Sequence, residues 1–203
     1  MRKFVSLILI IILTACSIEN ETVKNESEKQ FIPRDFKRYA MERFIQGNTY
    51  DLQDKYDQAV REYSEAVKYD PSAGIYYSLA KSYFHLNRLD LALLNSKKAV
   101  ALDSLNKDYL YLLGAIFSNS NQNDSAVICY ENIIKIDSND SGGYFNLAEQ
   151  LEVTKPSESL KLYKKVIDMI GPEWSVLIKI ADINERLGNI KETINTIEDL
   201  LDI

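Results

Sequence analysis

Side chains able to do chemistry on their own are few in this chain. Among 203 residues there is one histidine, His85, and two cysteines, Cys16 and Cys129. A metal centre needs several ligands at short spacing, and His85 has no second His or Cys near it. A nucleophile–base–acid set cannot be assembled around a lone histidine in a helical stretch either. Glu149, Glu152, Asp182 and Glu185 could face one another and do the paired-carboxylate work of glycoside hydrolysis. The same pattern describes a solvated acidic face, which is the reading adopted. Gly142-Gly143 reads as a junction between segments rather than a phosphate loop. The residues point to no enzyme, no metal and no cofactor.

Acylation is the chemistry that Cys16 suggests. The chain opens MRKFVSLILIIILTAC: Arg2 and Lys3 precede an apolar run from Phe4 to Leu13, too short for a transmembrane anchor and suited to a secretory signal. Leu13-Thr14-Ala15-Cys16 resembles the bacterial lipobox. That resemblance implies a signal peptide over residues 1–15, cleavage before Cys16 and lipidation of its thiol. It also implies attachment to the outer membrane of a Gram-negative cell, on the periplasmic or the outer face. Residues 16–32 (SIENETVKNESEK and onward) are polar, acidic and poor in aromatics, as a flexible tether is. This stretch resembles the surface-export signal of some lipoproteins, and the reading preferred is a solvated spacer. Cys129, in the apolar stretch AVICYENII, is expected to pack as a small hydrophobe.

The formal net charge is −6, and loss of Arg2 and Lys3 makes the mature chain more acidic. Nucleic-acid binding needs clustered Lys and Arg, so that class is excluded. Membrane attachment must come from acyl chains rather than from a basic patch.

The elements that carry these residues follow from a period. Small residues recur at Gly47, Ala80, Gly114, Ala148 and Ala181, a step of 33 or 34, and a second ladder runs in phase at Ala59, Ala92, Ala126, Ser159 and Thr193. Both mark close approach of one helix to another, and a period of this length signals a stacked array. Within a unit such as YSLAKSYFHLNRLDLALLNSKKAVAL, two runs of helical spacing flank Asn87-Arg88. Asp54, Asn87, Asn121 and Gly188 stand at the inner turns, where left-handed or capping conformations are needed. Pro71 and Pro172 fall between units, and Pro156 is placed in the fourth inner turn.

Gly47, Tyr50, Tyr56, Ala59, Tyr63, Ala66 and Pro71 together resemble the tetratricopeptide repeat family, and the resemblance extends over about residues 35–203. It implies an all-α fold, a right-handed superhelical solenoid at 33–203 of five helix-turn-helix repeats, at about 40–72, 73–106, 107–140, 141–173 and 174–203. The late alanine slot is filled by Ile133, Val166 and Leu200 in the last three repeats, which predicts altered spacing there. In the family, the slot three residues before each small rung lies on the first helix and faces the concave groove. Here it holds Phe44, Tyr77, Tyr111, Phe145 and Ile178, a stripe suited to a helix or extended peptide with apolar anchors, or one that packs between helices. One turn on stand Asn48, Lys81, Ala115, Glu149 and Asp182, a groove running from neutral or basic to acidic, matched by a ligand acidic near repeat two and basic near repeats four and five. The chaperone-binding carboxylate clamp has Lys where this chain has Phe44, and is not supported.

Two readings stay open at the last helix. Leu200, Leu201 and Ile203 are left exposed and seed a homodimer or dock a partner, or the outer face is already polar through Lys191, Glu192, Asn195, Glu198 and Asp199. The expected function is a membrane-anchored scaffold or assembly factor whose groove binds an envelope protein or peptide. The alternative is a nutrient- or glycan-binding lipoprotein that stacks sugars on the groove aromatics.

Overall fold

The computed structural model describes residues 34–201. The signal peptide, Cys16, the tether and Ile203 lie outside them. Ten helices are formed among the described residues, with no strand: α1 Arg34–Asp51, α2 Tyr56–Ala66, α3 Ala73–His85, α4 Leu89–Leu102, α5 Lys107–Asn119, α6 Asn123–Ile136, α7 Ser141–Leu151, α8 Pro156–Ile170, α9 Trp174–Arg186 and α10 Ile190–Leu201. The array itself starts at Tyr39, within α1. Successive helices from α2 onward pack on one another, and α3 also touches α5, so that each hairpin lies against the next. This is a solenoid of helical hairpins.

The turns obey their residues. Asp54, Asn87 and Asn121 adopt φ of 58°, 55° and 56°, and Gly188 adopts 74°. Asn and Asp tolerate the left-handed region because their short side chains bond locally, and glycine has no Cβ to clash. The fourth inner turn does without such a residue. Pro156 is the first residue of α8 rather than part of the turn, a place where its missing N–H goes unneeded.

The small-residue ladders sit where helices touch. Ala59, Ala80, Ala92, Ala126, Ala148 and Ser159 are wholly buried. At two rungs only glycine fits. A Cβ on Gly47 would lie 2.4 Å from the ring of Tyr63, and one on Gly114 would lie 2.8 Å from that of Tyr130. The second helix thus pushes a tyrosine ring against the first helix's backbone. Ser96 occupies this tyrosine's place in the second hairpin, fully buried and with its hydroxyl unpaired.

The late alanine slot forms the seams between hairpins. Ala66 packs with Ile75, Ile133 lies against Gly143, and Val166 packs with Val176. A Cβ on Gly143 would come within 3.1 Å of Ile133, so the bulk predicted to disturb the spacing is taken up by a missing side chain opposite. Beside the last seam a shallow hollow of about 260 Å³ is lined in part by Val166, Val176 and Phe145. Leu200 lies in the last helix, but its side chain is outside the described set. Gly142-Gly143 begins α7 with its amide capped by Asp140 Oδ1, as a junction requires.

Candidate functional site

The first helices α3, α5 and α7 share a face on which a shallow depression of about 360 Å³ forms. Tyr77, Lys81, Phe84 and His85 reach it from α3, Asp108, Tyr111, Leu112 and Ala115 from α5, and Tyr130 and Asn146 form the rest. Two stripe residues and two of the following-turn residues therefore meet in one place. Phe44, Glu149, Ile178 and Asp182 lie elsewhere along the array.

The stripe rings are partly core and partly surface. Phe44, Tyr77, Tyr111 and Phe145 are half-buried, while Ile178 is exposed. Phe44 stands 5.7 Å from Tyr63, Tyr111 stands 6.3 Å from Tyr130 and Phe145 stands 5.5 Å from Tyr163, each propped from beneath by the second helix of its own hairpin. Tyr77 has Ser96 in that position and leans instead on Tyr109 of the next first helix, at 5.0 Å. Such tilted and edge contacts favour aromatic pairs and hold them rigid.

Polar tips differ too. The Tyr111 hydroxyl donates to Asp140, whose other oxygen takes Lys107 at 2.7 Å. Burial, and then the bond to Asp140, pushes the Tyr111 hydroxyl above the ordinary phenol range. Burial also pushes Asp140 up, yet bonds from Lys107, Tyr111 and the Gly143 amide outweigh it and hold that carboxyl below its usual value. Tyr77 is likewise raised by burial, but its hydroxyl donates to no acceptor among the described residues. It is the stripe tip left open to a ligand.

The groove charges are largely satisfied within the protein. Asn48 Oδ1 accepts from the Tyr63 hydroxyl at 2.7 Å. Lys81 donates to Asp51 at 3.1 Å, and Ser82 Oγ reaches the same carboxylate at 3.2 Å. Lys179 lies 3.3 Å from Glu149 and 2.9 Å from Glu152, and Arg186 lies 2.9 Å from Asp182. These acids bridge α7 to α9 or close a turn of α9, and do not form an open acidic pair. A basic hook at repeat two is thus neutralised by Asp51, and the side-chain charge left open in the depression is the carboxylate of Asp108. Sequence reasoning passed over Asp108, although it stands one helical turn before Tyr111 and extends the same face.

His85 lies at the end of α3, exposed, with its ring stacked 4.4 Å from Tyr56. No group of three metal-ligating side chains occurs among the described residues. Cys129 is buried, and burial raises its thiol to about 11, so it carries little thiolate at neutral pH. No helix of the described residues is long and apolar enough to cross a membrane.

Three consecutive stretches, residues 43–72, 73–104 and 108–140, match the model of the tetratricopeptide repeat. The chain carries tetratricopeptide repeats. Solved tetratricopeptide structures superpose along most of its length. MamA from Desulfovibrio magneticus does so with a TM-score of 0.75 at 14% identity, covering 81% of this chain and 94% of that one. PilF from Pseudomonas aeruginosa gives 0.68 at 19%, covering 83% and 78%. YrrB, described as a TPR protein with an unusual peptide-binding site, gives 0.70 at 16%, covering 90% of each chain. At these identities the likeness is one of fold. No curated protein sequence matches the chain.

Proposed function

We propose that this tetratricopeptide chain is a lipoprotein anchored by Cys16 to the outer membrane, which holds another envelope protein through its first-helix face and acts as a scaffold or assembly factor. The observation that carries the binding reading is the depression shared by α3, α5 and α7, with Tyr77 open beside Asp108. Braced rings offer flat contact area at little entropic cost. The open hydroxyl and carboxylate would orient an extended segment that brings an apolar anchor and a donor or basic group. Binding is equilibrium docking with no covalent step. The anchor rests on the lipobox-like LTAC and the apolar run before it.

A photo-crosslinking residue placed at Leu112 in cells should capture a defined envelope protein, and Tyr77→Ala should abolish the adduct while the helical melting curve hardly moves. Retardation of the chain by a glycan in affinity electrophoresis, with no protein captured, would instead favour sugar binding. Cys16→Ala should release the chain from membranes; pelleting with membranes regardless would refute the anchor.

A further inference from the structure

The last helix exposes a stripe of which the sequence reading picked out only Leu201. Ile190, Ile194, Ile197 and Leu201 are 72%, 51%, 45% and 80% exposed. Their places in the repeat explain why they are apolar. Ile194, Ile197 and Leu201 occupy the slots of Leu160, Tyr163 and Ile167 on α8, which belong to the apolar cluster that also holds Val176 and Ile180 of α9. The stripe is therefore the stacking face of the fifth hairpin, with no further first helix laid on it among the described residues. The helix is apolar along this line, while Lys191, Glu192, Asn195 and Glu198 are exposed beside it, so the exposed-apolar and the polar-face readings of the last helix each hold in part.

Stacking by another copy head to tail would bring α1 onto this face. At the slots where α3 carries Ile75 and Leu79 and α9 carries Val176 and Ile180, α1 carries Glu42 and Gln46. Those polar residues make a poor cover for four aliphatic side chains. The stripe's own geometry supplies a better one. Its spacing of four, three and four residues is the alternation of a coiled-coil seam. Two such helices laid antiparallel about a twofold axis put Ile190 against Leu201 and Ile194 against Ile197 of the other copy. The same arrangement sets Lys191 facing Glu198 of the other copy, and Glu198 facing its Lys191. Apolar register and charge thus both match for a self-complementary contact, which closes on itself and cannot grow into a filament.

We infer that two copies of this chain pair through α10, antiparallel, as a twofold homodimer. The contact is separate from the first-helix face and stands whether or not that face binds a protein. Sedimentation equilibrium of the full chain in mild detergent, across a concentration series, should show a monomer–dimer equilibrium. Lys191→Glu and Glu198→Lys should each weaken it about tenfold, since each replaces two attractive pairs by two repulsive ones. The double exchange should restore it, and only pairing of 191 with 198 across copies predicts that rescue. Both positions are exposed, and an unchanged melting curve will show that each variant is folded. A monomer at every concentration, or a dimer indifferent to the single reversals, would overturn the proposal. So would a monomer whose α10 amides are protected from exchange, because another part of the same chain would then cover the stripe.

Discussion

The first and third hairpins fill their interiors one way and the second fills it another. In the former, a glycine on the first helix admits a tyrosine from the second, Gly47 with Tyr63 and Gly114 with Tyr130. In the latter, Ala80 stands opposite Ser96, and the volume of a ring is absent. The fold tolerates both, because helix approach depends on the summed bulk at a contact rather than on either residue alone. The consequence reaches the surface. Where the tyrosine is present, the stripe ring above it is propped and, at Tyr111, its hydroxyl is tied down. Where it is absent, Tyr77 leans sideways and keeps its hydroxyl free. The free hydroxyl arises where the interior is least like its neighbours.

This contrast can be broken experimentally. Tyr63→Ser would rebuild the first hairpin in the manner of the second. It removes a buried ring and leaves Asn48 unpaired, and should cost about 3–5 kcal/mol in a denaturant or thermal melt. A loss below about 1 kcal/mol would show that the ring is not structural. Gly114→Ala comes next. The gain of about 1 kcal/mol in helix propensity is opposed by overpacking against Tyr130 worth about 1–3 kcal/mol, so a net loss is expected. A gain in melting temperature would mean that the ring yields easily. The smallest effect sharpens the other side of the comparison. Ser96→Ala deletes a buried, unpaired hydroxyl and should stabilise the chain by about 1 kcal/mol, whereas a loss would reveal a hydrogen bond to ordered water.

Much of this architecture is legible in the sequence because it is written at positions that admit few residue types. Small rungs, the Asp, Asn and Gly of the inner turns and the prolines between hairpins each admit few alternatives, so helices and register follow directly. The candidate site is legible in part. The stripe slot could be named from the register, but whether a ring is braced depends on the residue some eighteen or nineteen positions later on another helix, such as Ser96 for Tyr77. Charge was the least legible property. Lys81 reads as a free cation until Asp51, a whole repeat away along the chain, is found beside it. Of the apolar face of α10 only Leu201 was named, for a related reason: Ile190, Ile194 and Ile197 fit a core pattern, and only the stacking shows that no described helix covers them.

The exchange of bulk between Ile133 and Gly143 bears on how such a chain can be rearranged. Repeats of one length look interchangeable, yet each hairpin is cut to fit the one that follows. Excising residues 107–140 would bring Ala99 against Gly143, two small residues facing a void. Placing a copy of that repeat before the second would drive Ile133 into Ile75. The order of the hairpins is thus an address written in side-chain volume, and shuffling these modules would have to rewrite both sides of every new seam at once.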